Sequence, residues 1–173
     1  MAEVSGGDNT IATLRDLANR LGKATEVRVG FLENATYPDG TPVATIAALN
    51  NFGAPGAGIP PRPFFSNMIA QESQTWGEKF AVVLKAADSD AAKALDLMGE
   101  GMAGQLREAI VQTTGPANSP VTDLLKQRFP MGGQTFDDVQ EARRDVAAGE
   151  TAPAGKPLVW TGNLLASVDK EVR

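Results

Sequence analysis

Two long segments with apolar residues at helical spacing constrain the fold of this 173-residue chain most strongly. Apolar residues recur every three or four positions over residues 65–84 and again over residues 91–110. Each helix therefore has one apolar face that must be buried against another element. Because only the polar break at Asp88-Ser89-Asp90 separates them, the two helices are predicted to pack as an antiparallel pair. The aromatic residues expected to anchor this core are Phe64, Phe65, Trp76 and Phe80.

A second pattern predicts a small sheet. Residues 26–32, EVRVGFL, alternate apolar and polar side chains, and Val168 and Val172 alternate with charges near the C-terminus. Alternation of this kind is typical of half-buried strands. Two isolated strands need each other and a helix to cover their apolar face. We therefore predict an α+β fold, in which a small antiparallel sheet packs against the two long helices.

Shorter helices complete the predicted architecture, within one domain over residues 1–173. They are expected over residues 10–21, 43–52, 119–129 and 137–148, with one further helical turn that Thr161 can cap. Residues 130–155 are rich in Gly, Pro, Asp, Glu and Ala. This composition predicts an exposed or partly disordered insertion.

The composition excludes most catalytic templates. The chain has no cysteine and no histidine, so disulfides, thiolate chemistry, imidazole bases and the usual zinc and haem ligands are absent. The net charge of −5 disfavours a protein whose main task is to grip phosphates. No secretory signal or apolar run long enough for a membrane span is recognisable. We expect a non-enzymatic protein with no cofactor or metal, no membrane partner and an intracellular site of synthesis.

A glycine motif at residues 99–104 has the letters of a dinucleotide-binding GxGxxG. The preceding residues have helical periodicity rather than that of a buried strand, so backbone amides there are used inside a helix. The glycines are interpreted instead as small residues that let two helices approach closely.

A stiff segment connects a short helix to the first long helix. Its sequence, residues 52–65, is FGAPGAGIPPRPFF. Its prolines hold neighbouring residues near extended dihedral angles and remove backbone donors. Two interpretations are open: a rigid strap that anchors Phe64 and Phe65 in the core, or an exposed loop in which Arg62 contacts a partner.

Three separated pieces occur in an order that resembles a tailed-phage tail-completion or neck protein. They are NNFGAP followed by GIPPRPFFSNMI, then ANSPVTDLLKQ, and finally KPLVWTGNLLASVDKEV. In that family an aromatic-Gly pair ends a short helix, Pro-Arg-Pro-Phe opens a long helix, and Pro-Leu-x-x-Thr-Gly-x-Leu-x-x-Ser precedes the last strand. This chain departs from the family at Trp160, where an acidic residue is common, and at residues 130–155, which resemble an insertion.

The resemblance implies a non-enzymatic virion protein, made in the cytoplasm of the bacterial host, that completes the tail and joins it to the head. It implies a ring of this chain, six copies being preferred, with other tail or neck proteins as partners and duplex DNA passing through the channel. The hypothetical partner interface consists of Phe52, Gly53, Ile59, Pro61, Arg62, Pro63, Trp160 and Thr161. For Trp160, packing over the sheet edge is also open. The alternative function is a small regulatory or nucleic-acid-associated binding module.

Overall fold

The computed structural model describes residues 7–22, 24 and 26–173. Its α+β architecture confirms the predicted fold class. In chain order the elements are α1 (Gly7–Leu21), β1 (Val27–Phe31), α2 (Val43–Phe52), α3 (Phe64–Ala86), α4 (Ala91–Gln112), α5 (Pro120–Arg128), α6 (Phe136–Ala147), α7 (Asn163–Ala166) and β2 (Val168–Val172). A 3-10 turn, Pro55–Ala57, lies between α2 and α3.

The two long helices α3 and α4 pack along each other as predicted. The chain reverses between them at Asp88 and Ser89, whose φ angles are 53° and 62°. Asp90 then begins α4, because its carboxylate accepts the backbone N–H of Lys93 at 3.1 Å, satisfying one of the donors that a helix start leaves free. The short reversal makes the pair antiparallel.

The sheet consists of β1 and β2, paired antiparallel with Val29 opposite Lys170. Both strands pack against α4, and Lys170 forms an ion pair with Asp96 of that helix. The main core lies between α4, the sheet, α2 and the start of α3. Its buried residues are Val43, Ala47, Phe64, Met68, Ala103, Leu106, Ile110, Leu158, Leu164 and Val168.

The four predicted core anchors differ in burial. Phe64 is buried and makes an edge-to-face contact with Phe31, with ring centroids 6.4 Å apart. Phe65 and Trp76 are half-buried against the main core. Phe80 is also half-buried, but it belongs to neither hydrophobic cluster of the described residues. Its role as a core anchor therefore stays a prediction, and Ala87, Ala91 and Ala94, which follow it in the chain, are buried.

The glycine motif lies inside α4, as the sequence predicts, but its role needs correction. A Cβ atom on Gly99 would lie 2.7 Å from Val27 Cγ2 and 3.0 Å from Lys170 Cδ. Gly101 and Gly104 would meet open space. The close approach is therefore that of the sheet to α4 at Gly99, and not that of a second helix.

A second, smaller hydrophobic cluster joins α5 to α6 around Leu124, Leu125 and Ala142. The segment predicted as an exposed or partly disordered insertion, residues 130–155, contains α6, which packs on α5 and begins with a capping box between Thr135 and Asp138. The reciprocal bonds of that box satisfy donors at the helix start. Parts of the segment, such as residues 147–151, are exposed as predicted.

Trp160 belongs to this second cluster and not to the sheet edge. Its side chain is half-buried, and its Nε1 donates to the backbone oxygen of Phe129 at 2.8 Å. The predicted cover over the sheet edge is therefore wrong. A buried indole usually finds an acceptor of this kind, so Trp160 fixes the C-terminal segment against the end of α5.

Candidate partner-binding groove

A groove of about 1160 Å³ lies on the described part of the chain. Its walls come from the turn at residues 37–41, the end of α2, residues 58–62, the start of α5, residues 131–134 and residues 157–164. The three sequence pieces that carry the phage resemblance all contribute to it, through Ile59, Thr122 and Trp160 among others. Segments far apart in sequence therefore form one surface.

The residues proposed as a partner interface divide between this groove and its surroundings. Ile59, Arg62, Trp160 and Thr161 line the groove. The remaining four, Phe52, Gly53, Pro61 and Pro63, are not among its lining residues. Of these, Phe52 is 73% exposed, so it remains available to a partner on an adjacent surface.

Gly53 has a structural role that explains the aromatic-Gly pair. Its φ angle is 77°, and a Cβ there would lie 2.8 Å from the backbone nitrogen of Pro61. Only glycine fits both this conformation and this approach. The loop from Gly53 to Pro61 therefore closes on itself, aided by two hydrogen bonds between Ala54 and Ile59.

Arg62 is buried, which corrects its prediction as an exposed partner contact. Its Nε donates to the carbonyl oxygen of Pro116 at 2.8 Å, and its Nη2 to that of Ala117 at 3.2 Å. Its Nη1 donates to Asn50 Oδ1 at 3.3 Å. Burial lowers the pKa of Arg62, yet a guanidinium remains charged at physiological pH. Arg62 thus joins α2 to the segment before α5, using donors that a partner would need.

Asn51 is a key residue that the sequence analysis missed. It is buried, and its Oδ1 accepts the backbone N–H groups of Phe65 and Ser66 at 3.0 and 3.1 Å. Its Nδ2 donates to Ser66 Oγ at 2.7 Å. Pro63, at the start of α3, makes no side-chain capping bond. Asn51 therefore caps α3 from the end of α2, and the Asn50-Asn51 pair before Phe52-Gly53 was the available signal.

Lys126 and Asp123 of α5 hold the C-terminal segment in place beside the groove. Lys126 Nζ donates to the carbonyl oxygens of Lys156 and Val159 at 2.6 and 2.9 Å. The buried Asp123 carboxylate accepts the N–H of Gly155 at 3.1 Å. Burial lowers the pKa of Lys126, Asp123 raises it, and Arg62 lowers it further. These charges are satisfied within the chain, so they fix the groove's shape.

The turn at residues 37–41 forms the opposite wall. Tyr37 N–H donates to the Thr41 oxygen at 2.8 Å, and Thr41 N–H donates to Asp39 Oδ1 at 2.9 Å. The bond from Thr41 lowers the pKa of Asp39, and burial raises the pKa of Tyr37. The turn is thus fixed by its own bonds and presents Tyr37 to the groove.

Residues 131–134, which line the groove, have two unusual features. Met131 is 84% exposed although it lines an apolar surface. Gln134 Oε1 is buried and has no hydrogen-bond partner among the described residues. Buried polar atoms are normally satisfied, so this oxygen is an exception in the groove wall.

The groove is lined by residues of mixed chemistry. Its walls combine apolar side chains such as Ile46, Leu49 and Leu164 with turn backbone. The described residues hold no group of three or more acidic side chains placed to bind a metal ion. A concave surface with a mostly apolar wall and a few polar groups is typical of ligand-binding sites.

Comparison with protein-family models, with characterised proteins and with solved structures gives no match. Within the described ranges, no helix combines the length and apolar character that crossing a membrane requires.

Proposed function

We propose that this chain is a non-enzymatic structural protein of a tailed-phage virion, which completes the tail and joins it to the head. One observation carries the proposal: the three sequence pieces that resemble the tail-completion or neck family come together around one groove. Motifs that only stabilise separate parts of a fold need not converge on one surface.

The groove is the proposed contact with a neighbouring tail or neck protein. Arg62 and Lys126 donate hydrogen bonds to backbone oxygens of this chain, so they stabilise the surface. Recognition of the partner then depends on the apolar walls of the groove. Met131 and Thr161 are exposed groove residues that a partner can reach. A preformed surface of this kind reduces the ordering cost of binding.

The proposed assembly is a ring of six copies around the head–tail axis. A subunit that joins two structures sharing a rotational axis must repeat around that axis. The chain carries a net charge of −5. An acidic wall lets duplex DNA pass through the channel, whereas a basic wall would retain it through phosphate contacts.

Genetic complementation tests this function. Deletion of the gene is expected to leave filled heads and tails that do not join, and the wild-type gene should restore infectious particles. Met131→Glu, in the groove, should fail to restore them. Val82→Glu, at a residue of α3 that is 70% exposed, is the matched control and should complement. Normal particles without the gene would contradict the proposal, and equal complementation by both variants would contradict the role of the groove.

A further inference from the structure

The two outer edges of the sheet differ in how their backbone groups are used. Beside the strands, Glu26 N–H donates to the Arg173 oxygen at 3.2 Å, and Arg173 N–H donates to the Glu26 oxygen at 3.1 Å. Pairs that exchange two bonds alternate with pairs that exchange none in an antiparallel ladder. From the register, Arg28 and Gly30 therefore bond inward to β2.

The peptide groups of Val27, Val29 and Phe31 consequently point away from β2. None of their N–H or C=O groups has a partner among the described residues. Because unpaired backbone groups are rarely buried, these six groups are expected to face solvent. They form an unprotected strand edge, which natural proteins usually cover or blunt.

The outer edge of β2 is blunted instead. The Val168 oxygen accepts Nη2 of Arg107 at 2.8 Å. The Lys170 N–H donates to the side chain of Asp169 at 2.8 Å. Two of the outward groups of β2 are thus occupied by side chains, and the contrast with β1 is a property of this sheet.

We infer that the outer edge of β1 binds an extended strand from a different protein, which becomes the third strand of the sheet. Such strand addition gains affinity from main-chain bonds and specificity from alternate side chains. The added strand would carry apolar β-branched residues on the face shared with Val27 and Val29. It would carry polar residues on the face of Arg28, whose guanidinium is paired with Glu26. Continuation of the sheet through the β2 edge of a second copy is disfavoured, because two outward groups of that edge already bond to side chains.

A synthetic peptide tests this inference without reference to the phage proposal. The probe is acetyl-TVEVEVT-amide, whose valines share one strand edge and one face. Added to the full-length ¹⁵N-labelled chain, it should slow amide exchange of Val27, Val29 and Phe31, measured by NMR. The same peptide methylated on its three valine nitrogens is the control and should have no such effect, because an antiparallel strand whose valines face α4 must bond to β1 through those three N–H groups.

Two substitutions of Val27, the first residue of β1, distinguish the contribution of its backbone N–H from that of its side chain. Val27→Pro removes an outward N–H, whereas Val27→Ala removes a similar amount of packing and keeps that N–H. The Pro variant should bind the peptide about tenfold more weakly than the Ala variant. Unchanged exchange at the three amides, or equal affinity of the two variants, would overturn the inference. Protection of those amides in the concentrated chain alone would overturn it in favour of a dimer through two β1 edges.

Discussion

Arg62 Nε lies 2.8 Å from the carbonyl oxygen of Pro116, a residue 54 positions away in the chain. This bond and its neighbour to Ala117 tie the segment after α2 to the segment before α5. The most unusual stretch of the sequence thus places its charge inside the molecule, where it connects two walls of the groove.

Arg62→Ala is expected to lower the free energy of unfolding by about 2–3 kcal/mol, since hydrogen bonds from a charged donor are lost in a buried position. Arg62→Lys should recover little of it, because an ammonium group cannot span the same three acceptors. Urea unfolding measures the free energy of unfolding of both variants. Arg143→Ala, at an exposed position of α6, is the control. A loss for Arg62→Ala no larger than that of the control would refute the structural role.

Gly99→Ala is expected to destabilise the fold by about 1–3 kcal/mol, because the new methyl group meets Val27 and the strands must shift. Gly101→Ala and Gly104→Ala face open space in the same helix. They should stabilise it by about 0.5–1 kcal/mol through higher helix propensity. Thermal unfolding of the three variants tests whether the change in stability has opposite signs at Gly99 and at the other two glycines. A stabilising Gly99→Ala would show that the sheet does not approach α4 at this position.

The difference between Gly99 and the other two glycines shows which structural features a sequence pattern can predict and which it cannot. Periodicity predicts α2, α4 and the pairing of β1 with β2, because it reports which face of an element is buried. It does not report which neighbour covers that face, so the sequence predicts a second helix beside Gly99 where the structure has the sheet. Arg62 and Lys126 were unpredictable for a related reason, since their acceptors are backbone oxygens 30 or more positions away.

Asn51→Ala is expected to cost about 1–3 kcal/mol, because two N–H groups at the start of α3 lose their acceptor. Asn67→Ala, an exposed position of the same helix, should be nearly neutral. Amide exchange of Phe65 and Ser66 gives a local measure and should accelerate only in the Asn51 variant. If exchange there stays unchanged, the cap is supplied by another group.

The capping box of α6 should make that helix sensitive to acid. Hydrogen bonds from Thr135 lower the pKa of Asp138 below its usual value of 3.8. The ionised form is therefore favoured in the folded state, and its stabilising effect is present above pH 3.8 and lost as the pH falls through the folded pKa. Amide exchange in α6 should accelerate over that acidic range. Asp138→Asn should remove this component of the pH dependence, and an identical profile in the variant would contradict the assignment.

The location of the chain in an intact particle tests the central claim most directly. Cryo-electron microscopy of phage particles should show this fold as a closed ring on the axis between head and tail, with a segment of a neighbouring protein seated in the groove between Ile59 and Thr161. Density for the chain away from that axis, or its absence from the particle, would contradict the account.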